Sequence, residues 1–319
     1  MILVTGAAGF LGSAVVRRLW LEGGREVVAA FHRQHAEVPA GVRVLGGLEL
    51  GSQTEWLPAL EGVTSVVHCA ARAHVMRDTT TDPLAEFRRV NVDGTLNLAR
   101  QAAQGGVKRF VFVSSIGVNG AVTSDVPFTA DDRPAPHSPY AQSKFEAEQG
   151  LHRLAEETGL DVVIIRPPLV YGPGAPGNFG ALVRAVRRGW PLPLGTVTGN
   201  RRSLVAIDNL VDLILTCLVH PAATNQTFLV SDGEDLSTAD LLQHLGAAMG
   251  RPARLLPVPM RVLALGAKLL GKPEIFQSLC SSLQVDMSKT RDLLGWQPPI
   301  GVDEGLKRAV GASGVDALL

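Results

Sequence analysis

The chain has 319 residues, 46% of them apolar and 19% charged, which suits one large or two unequal globular domains with a sizeable core. Thirty basic residues offset thirty acidic ones, so no net field points to nucleic acid as a partner. Cys69, Cys217 and Cys280 lie far apart and form neither a disulfide framework nor a metal spacing, so no metal is expected and a reducing, cytoplasmic setting is. No apolar run reaches the roughly 20 residues that span a bilayer. No secretory leader is expected either, because the first strand starts at about Met1.

Residues 1–5 read as a short buried strand that runs straight into Gly6-Ala7-Ala8-Gly9-Phe10-Leu11-Gly12. Residues 13–21 then carry apolar side chains at helical spacing. Strand, glycine-rich turn and helix form the context in which spaced glycines cradle a pyrophosphate. Gly6 permits the tight turn, Gly9 lets the backbone approach phosphate, and Gly12 allows close helix packing. Phe10 and Leu11 join them as expected cofactor contacts. The second strand, 26–31, ends in Phe31-His32-Arg33 and lacks the carboxylate that holds the adenosine ribose of NAD. Arg33 therefore favours NADP, whose 2′-phosphate it would meet, over NAD.

Residues 42–45 and 64–68 are the third and fourth strands. The fourth ends in Cys69-Ala70-Ala71, small enough for the chain to pass beneath a bound nucleotide. His68, Cys69 and His74 have no second ligand cluster or local base and read as core. Residues 82–104 form a long helical stretch that contains Asn91-Val92-Asp93-Gly94-Thr95. Residues 109–115 are almost continuously apolar, as a central parallel strand should be. They deliver Ser114-Ser115 to the carboxyl edge of the sheet, where open α/β folds place ligands. Ser114 reads as ordinary turn chemistry and Ser115 as a functional hydroxyl.

Ser138 is a good N-cap and Pro139 suits the first helical position, so Tyr140 and Lys144 lie one turn apart on one helix face. A neighbouring ammonium stabilises phenolate. Lys144 is thus expected to pull Tyr140 below its free value of about 10, letting it trade protons near neutrality. Residues 161–166 make the sixth strand, which Pro167-Pro168 ends, and a Pro/Gly-rich stretch then exits toward a smaller lobe. Residues 227–230 return as a strand to the main sheet. The expected division is a dinucleotide domain over 1–166, with a returning segment near 204–232, and a substrate lobe over 167–203 and 233–319. Helices are expected over 180–188, 238–249 and 260–270. The last is apolar enough to suggest a membrane-surface helix, but its length and low polar content fit a buried or partner-facing one better, and no membrane partner is expected.

Thr5-Gly6-x-x-Gly9-x-x-Gly12, Asn91-Val92-x-Gly94-Thr95, Ser114-Ser115 and Tyr140-x-x-x-Lys144 together resemble the extended short-chain dehydrogenase/reductases. More narrowly, the chain is similar to their nucleotide-sugar epimerase/dehydratase branch. Arg166-Pro167-x-x-Val170-Tyr171-Gly172-Pro173 and Leu293-Leu294-Gly295-Trp296-x-Pro298 carry the resemblance over nearly the whole length. It implies an α/β, Rossmann-type doubly wound parallel sheet with a smaller, sequence-interleaved C-terminal substrate lobe. It also implies a Ser115/Tyr140/Lys144 triad: Tyr140 as general acid/base, Lys144 lowering its pKa and holding the nicotinamide ribose, Ser115 orienting the substrate oxygen. Further cofactor contacts are implied at Leu48, Ala70, Ala71 and Pro167. Asn178 and Arg202 are implied as substrate contacts, the arginine meeting the nucleotide diphosphate. Asn91 would support the active-site helix, and the 82–104 and 139–158 helices would build a homodimer.

Departures from the family pattern narrow the chemistry. Its sugar 4,6-dehydratases carry an Asp-Glu pair after the Ser/Thr, whereas Ile116 and Gly117 stand here and offer no proton chemistry. Asn119 replaces a common tyrosine, and Phe31 departs from the NAD-retaining 4-epimerases. The leading expectation is an NADPH-dependent 4-ketoreductase for a UDP-type sugar in polysaccharide precursor synthesis. The alternative is a UDP-sugar 4-epimerase with tightly bound NAD. Reduction of a non-sugar carbonyl and a catalytically silent NADP-binding sensor complete the set.

Overall fold

A computed structural model describes residues 1–32, 38–73 and 82–311. In chain order the first half contains β1 (Ile2–Thr5), α1 (Phe10–Glu22), β2 (Val27–Ala30), β3 (Arg43–Leu45), α2 (Leu57–Leu60) and β4 (Ser65–His68). It continues with α3 (Pro83–Arg88), α4 (Thr95–Gln104), β5 (Arg109–Val113), α5 (Pro139–Thr158) and β6 (Asp161–Arg166). The second half contains β7 (Leu169–Tyr171), α6 (Gly177–Arg187), β8 (Arg202–Ala206), α7 (Ile207–Val219), β9 (Thr227–Leu229), β10 (Asp235–Leu236) and α8 (Thr238–Ala248). It ends with α9 (Met260–Leu269), α10 (Pro273–Cys280), α11 (Ser288–Leu294) and α12 (Val302–Gly311).

Seven parallel strands form the main sheet in the order β3-β2-β1-β4-β5-β6-β9. The reason is visible in the strands themselves. Ile2, Val4, Val111, Val113, Val163 and Ile165 pack on one face with α1 and α7. The alternate residues Leu3, Phe110, Phe112, Val162 and Ile164 pack on the other face with α4 and α5. Strands apolar on both faces must be covered on both faces, and this doubly wound arrangement covers them. Because all seven strands run the same way, Thr5, Ala30, His68, Val113 and Arg166 end along one edge. That edge is where the glycine turn, Ser115 and Pro167 emerge.

A second sheet, β10-β8-β7, carries the smaller lobe together with α6, α8 and α12. β8 lies in this sheet and not in the main one, whereas β9 returns to the main sheet beside β6. The two sheets meet through Asp232. Its carboxylate accepts from the Tyr171 hydroxyl at 2.6 Å, from Asn209 Nδ2 at 2.7 Å and from the Ala206 N–H at 2.8 Å. Burial and this carboxylate together push the Tyr171 phenol far above its ordinary range, and burial lifts Asp232 as well.

The 82–104 stretch is not one uninterrupted α-helix. Between α3 and α4 the backbone widens into a π-turn over Arg89–Gly94. Such turns recur at functional sites because the extra residue turns one side chain inward. Here the inward side chain is Asn91, whose Nδ2 donates to Ser143 Oγ at 3.0 Å and to the Arg72 carbonyl at 3.1 Å.

Beneath the carboxyl edge lies a buried ion pair, Arg166 Nη2 to Glu148 Oε2 at 2.6 Å, with the side chains only 6% and 2% exposed. Removing one partner strands the other charge in the interior. Arg166→Ala should therefore lower unfolding free energy by about 3–5 kcal/mol in denaturant titrations. Replacing both partners with apolar residues of similar volume should recover much of that loss.

Candidate active site

The cofactor cradle is set by two glycines. Gly6 sits at φ +68°, and a Cβ there would meet the backbone N of Ala70 at 2.7 Å. A Cβ on Gly12 would lie 2.2 Å from the Gly6 carbonyl oxygen. No residue but glycine fits at either position, so the turn hugs β4 and α1 closes on the turn. Gly9 caps α1 without a side-chain hydrogen bond, and no acidic residue occupies the first turn. The first N–H groups of α1, with Phe10 and Leu11, thus face the sheet edge free to meet an anion. Ala70 donates its N–H to Thr5 Oγ1 at 3.3 Å and Ala71 follows it half-buried. Leu48 closes the end of β2 by donating its N–H to the Phe31 carbonyl at 3.0 Å. This geometry fits a dinucleotide pyrophosphate. Phe31 points into the core, 2% exposed, so it offers a ribose no acceptor. Arg33 and His74 lie outside the described residues.

Ser115 lies just past β5, and its Oγ accepts from the Gly117 N–H at 3.1 Å. A Cβ on Gly117 would touch Ser115 Oγ and Ala141 Cβ at 3.3 Å each, so the serine abuts the first turn of α5. Ser138 caps that helix as expected, accepting from the Ala141 N–H at 3.2 Å. The half-buried Tyr140 ring sits edge-on to Phe87, centroids 6.0 Å apart. Lys144 is 2% exposed and holds Nζ 4.2 Å from the centre of the Phe112 ring, over β5.

The electrostatics differ from the expected coupling. Tyr140 is pushed up to about 12 by burial, with no offsetting contribution from Lys144. Lys144 is drawn down to about 8, first by burial and then partly restored by Cys69 and Glu148. One cause explains both: a site that excludes water penalises whichever form carries charge. The phenol is thus a protonated donor at neutral pH.

Two residues that sequence reasoning passed over hold this site together. Glu148 follows Lys144 by one turn on the same helix face, 2% exposed, and accepts from Ser114 Oγ at 2.5 Å and Arg166 Nε at 3.0 Å. Arg166 Nη1 also donates to Asn119 Oδ1 at 3.0 Å, which gives Asn119 a structural task. Ser114 is therefore a buried link and not a turn residue. The signal was present: Tyr140, Lys144 and Glu148 at i, i+4 and i+8 place a carboxylate on the buried face, where it must be paired. His68, drawn down to about 3 by burial, is held between Thr5 Oγ1 at 2.6 Å and Thr95 Oγ1 at 2.9 Å. Burial pushes the Cys69 thiol up to about 12. Both are core, and no metal-binding group of side chains occurs among the described residues.

In the smaller lobe, Asn178 and Arg202 line one pocket with Phe179, Leu204 and Leu279. Arg202 Nη1 donates to the Ser281 carbonyl at 3.0 Å, and burial lowers its guanidinium from the ordinary value. Residues 281–285 join this pocket to the Ser115 region. Leu283 exchanges backbone hydrogen bonds with Arg201 and Ser203, while its side chain packs against Ile116. Pro167 lies between the lobes, its carbonyl accepting from the Ile116 N–H at 3.0 Å.

Residues 2–231 match the NAD dependent epimerase/dehydratase family. The chain belongs to that family. It is 48% identical over 312 residues to a UDP-glucose 4-epimerase of Vibrio cholerae, covering 98% of this chain and 94% of the relative. A UDP-glucose 4-epimerase of Mycolicibacterium smegmatis is 30% identical, with 97% of this chain and 96% of that one covered. Among solved structures, UDP-glucose 4-epimerase from Thermotoga maritima with UDP-glucose superposes with a TM-score of 0.77 at 25% identity, covering 97% of each chain. MoeE5 in complex with UDP-glucuronic acid and NAD gives 0.77 at 27% identity over 97% of each chain. These relatives lend the NADP preference read at Phe31-His32-Arg33 no support. The family's glycine turn, Asn91 and Tyr140-x-x-x-Lys144 pair all converge on the one sheet edge.

The lowered Lys144 value has a consequence for stability. Its folded pKa of about 8 lies below the ordinary 10.5, so the unfolded chain binds more protons between these values. This group's contribution therefore rises as pH climbs from about 8 to about 10.5, by on the order of 3 kcal/mol. Urea titrations of the wild type against Lys144→Met across that range should show the rise only in the wild type.

Proposed function

We propose that the chain is a UDP-sugar 4-epimerase that retains NAD, with the 4-ketoreductase reading moved to second place. The choice of epimerisation over net reduction rests on the 48% identical Vibrio cholerae relative, which bears the name UDP-glucose 4-epimerase and is matched over nearly its whole length. The site is compatible: Ile116 and Gly117 bring no carboxylate beside Ser115, so elimination of water has no proton relay there.

NAD, held at the turn of Gly6, Gly9 and Gly12, would supply reversible hydride exchange at C4. Every other part falls to side chains of this chain. Tyr140 must start as phenolate to take the C4 hydroxyl proton and then returns it as phenol, the form that burial favours. Ser115 orients the same oxygen from the end of β5, with Gly117 packed between it and Ala141 of α5. The Lys144 ammonium stabilises phenolate while the proton is away. Arg202 and Asn178 hold the diphosphate in the smaller lobe, so the sugar can turn about an anchored end.

Two measurements test this. Denaturing the purified protein should release NAD in a stoichiometric amount. The native protein, given no added cofactor, should interconvert UDP-glucose and UDP-galactose in a proton NMR assay. Tyr140→Phe should lower the rate by about a hundred- to ten-thousandfold with the fold intact. An empty site, with NADPH consumed only in the presence of a UDP-4-keto sugar, would establish the reductase instead. Unchanged turnover in Tyr140→Phe would remove the role assigned to that residue.

A further inference from the structure

Of the two expectations for the Met260–Leu269 helix, buried or partner-facing, the first does not hold: it has no buried residue, and neither does the Pro273–Cys280 helix that follows. Together they form a helical hairpin on the surface of the smaller lobe. The inner side of α9 rests its half-buried Leu263 on the lobe's core, as α10 rests Leu279. The outer side carries Val262, Leu265 and Leu269 at i, i+3 and i+7, exposed by 56%, 58% and 79%. Leu270, at 75%, and Ile275, at 44%, extend that stripe across the turn. A helix apolar on both sides belongs in a core or against a second apolar phase.

The charge on this segment is as uneven as its burial. Residues 251–280 hold five basic side chains, Arg251, Arg254, Arg261, Lys268 and Lys272, and one acid, Glu274, within a chain whose formal charge is zero. Arg261 and Lys268 are seven residues apart, so they share one helix face and flank the apolar stripe. An aliphatic stripe bordered by cations suits an interface between hydrocarbon and anionic headgroups. It suits a second copy of the chain poorly, because a two-fold contact would set this basic patch against itself. No described helix is long and apolar enough to cross a membrane. The match is to a helix lying in the surface plane.

We propose that the α9–α10 hairpin docks this protein on anionic phospholipid membranes, with Val262, Leu265, Leu269 and Leu270 entering the headgroup boundary and Arg261, Lys268 and Lys272 meeting lipid phosphates. The hairpin also walls the substrate pocket. Ser278 and Leu279 of α10 line it with Arg202, and Asn178 Nδ2 donates to Ser278 Oγ at 3.2 Å. The proposal stands apart from the epimerase reading, since it rests on residues that take no part in the reaction.

The test is co-sedimentation of the full-length protein with vesicles of phosphatidylcholine alone or mixed with phosphatidylglycerol. The wild type should pellet with the mixed vesicles and release as salt is raised. A triple variant, Val262→Ser with Leu265→Ser and Leu269→Ser, should lose about tenfold or more of that partitioning while circular dichroism stays unchanged. Replacing Arg261, Lys268 and Lys272 by Gln should weaken it and flatten its salt dependence. Failure of the wild type to pellet with either vesicle would overturn the proposal, as would a serine variant that pellets equally well. Self-association through the stripe, seen as a mass that the serine variant halves without any vesicle binding, would overturn it in favour of a contact between copies. Epimerase activity is assayed separately on the same preparation, so either reading can fail without the other.

Discussion

The pairing of Glu148 with Arg166 is the constraint on which the site depends. Glu148 belongs to the helix that carries Tyr140 and Lys144, and Arg166 ends the strand that delivers Pro167. Ser114, one residue before the serine assigned to substrate, closes the triangle by donating to the same carboxylate. Three elements far apart in sequence are thereby fixed to one another at the carboxyl edge. Hydrophobic packing of α5 on the sheet sets its depth, but packing alone tolerates sliding and rotation. A bidentate buried pair with a third donor does not, because displacement would leave a charge unsatisfied in a water-poor interior.

That same scarcity of water explains the titration behaviour. The spacing of Tyr140 and Lys144 was expected to bring the phenol down, and in the folded chain it stands higher than in water. Spacing on a helix establishes that two side chains share a face and says little about the dielectric between and around them. Lys144 holds Nζ over the Phe112 ring of β5, and burial governs the Tyr140 shift. An acid held protonated by its surroundings is suited to the half of the reaction that places a proton on an alkoxide.

The order of the elements was legible because most strands of the main sheet are short and apolar on both faces, with glycine following β1 and β3 and proline following β6. Residues 1–5 followed by Gly6 and Gly9 announce the cradle, and the close approaches at Gly6 and Gly12 give the steric reason. The helix carrying Tyr140 was legible from Ser138-Pro139. What escaped was whatever depends on a partner remote in sequence. Glu148 looks like one more exposed helix carboxylate until Arg166 and Ser114 converge on it. The π-turn at Arg89–Gly94 has no signature of its own, since its cause lies in Asn91 reaching Ser143 fifty-two positions away. The long helical stretch expected there is present, and the wider turn lies inside it. Arg33, which decided the reading for NADP, lies outside the described residues.

The second lobe differs from the first in how its elements are satisfied. In the dinucleotide domain nearly every apolar strand residue is enclosed by helices on both faces, so its shape follows from burial. In the smaller lobe the three-stranded sheet has a core of its own, yet α9 and α10 rest on its margin and leave an aliphatic stripe in solvent. A sequence that keeps such a stripe needs a counterpart for it, since exposed leucines and valines in a row otherwise promote non-specific association. The cations beside the stripe raise the charge of the same segment and repel another copy, while the apolar residues between them favour leaving water. These tendencies oppose each other in solution and act together at an anionic apolar boundary. The physical conflict within α9 thus has a resolution, and it lies outside the chain.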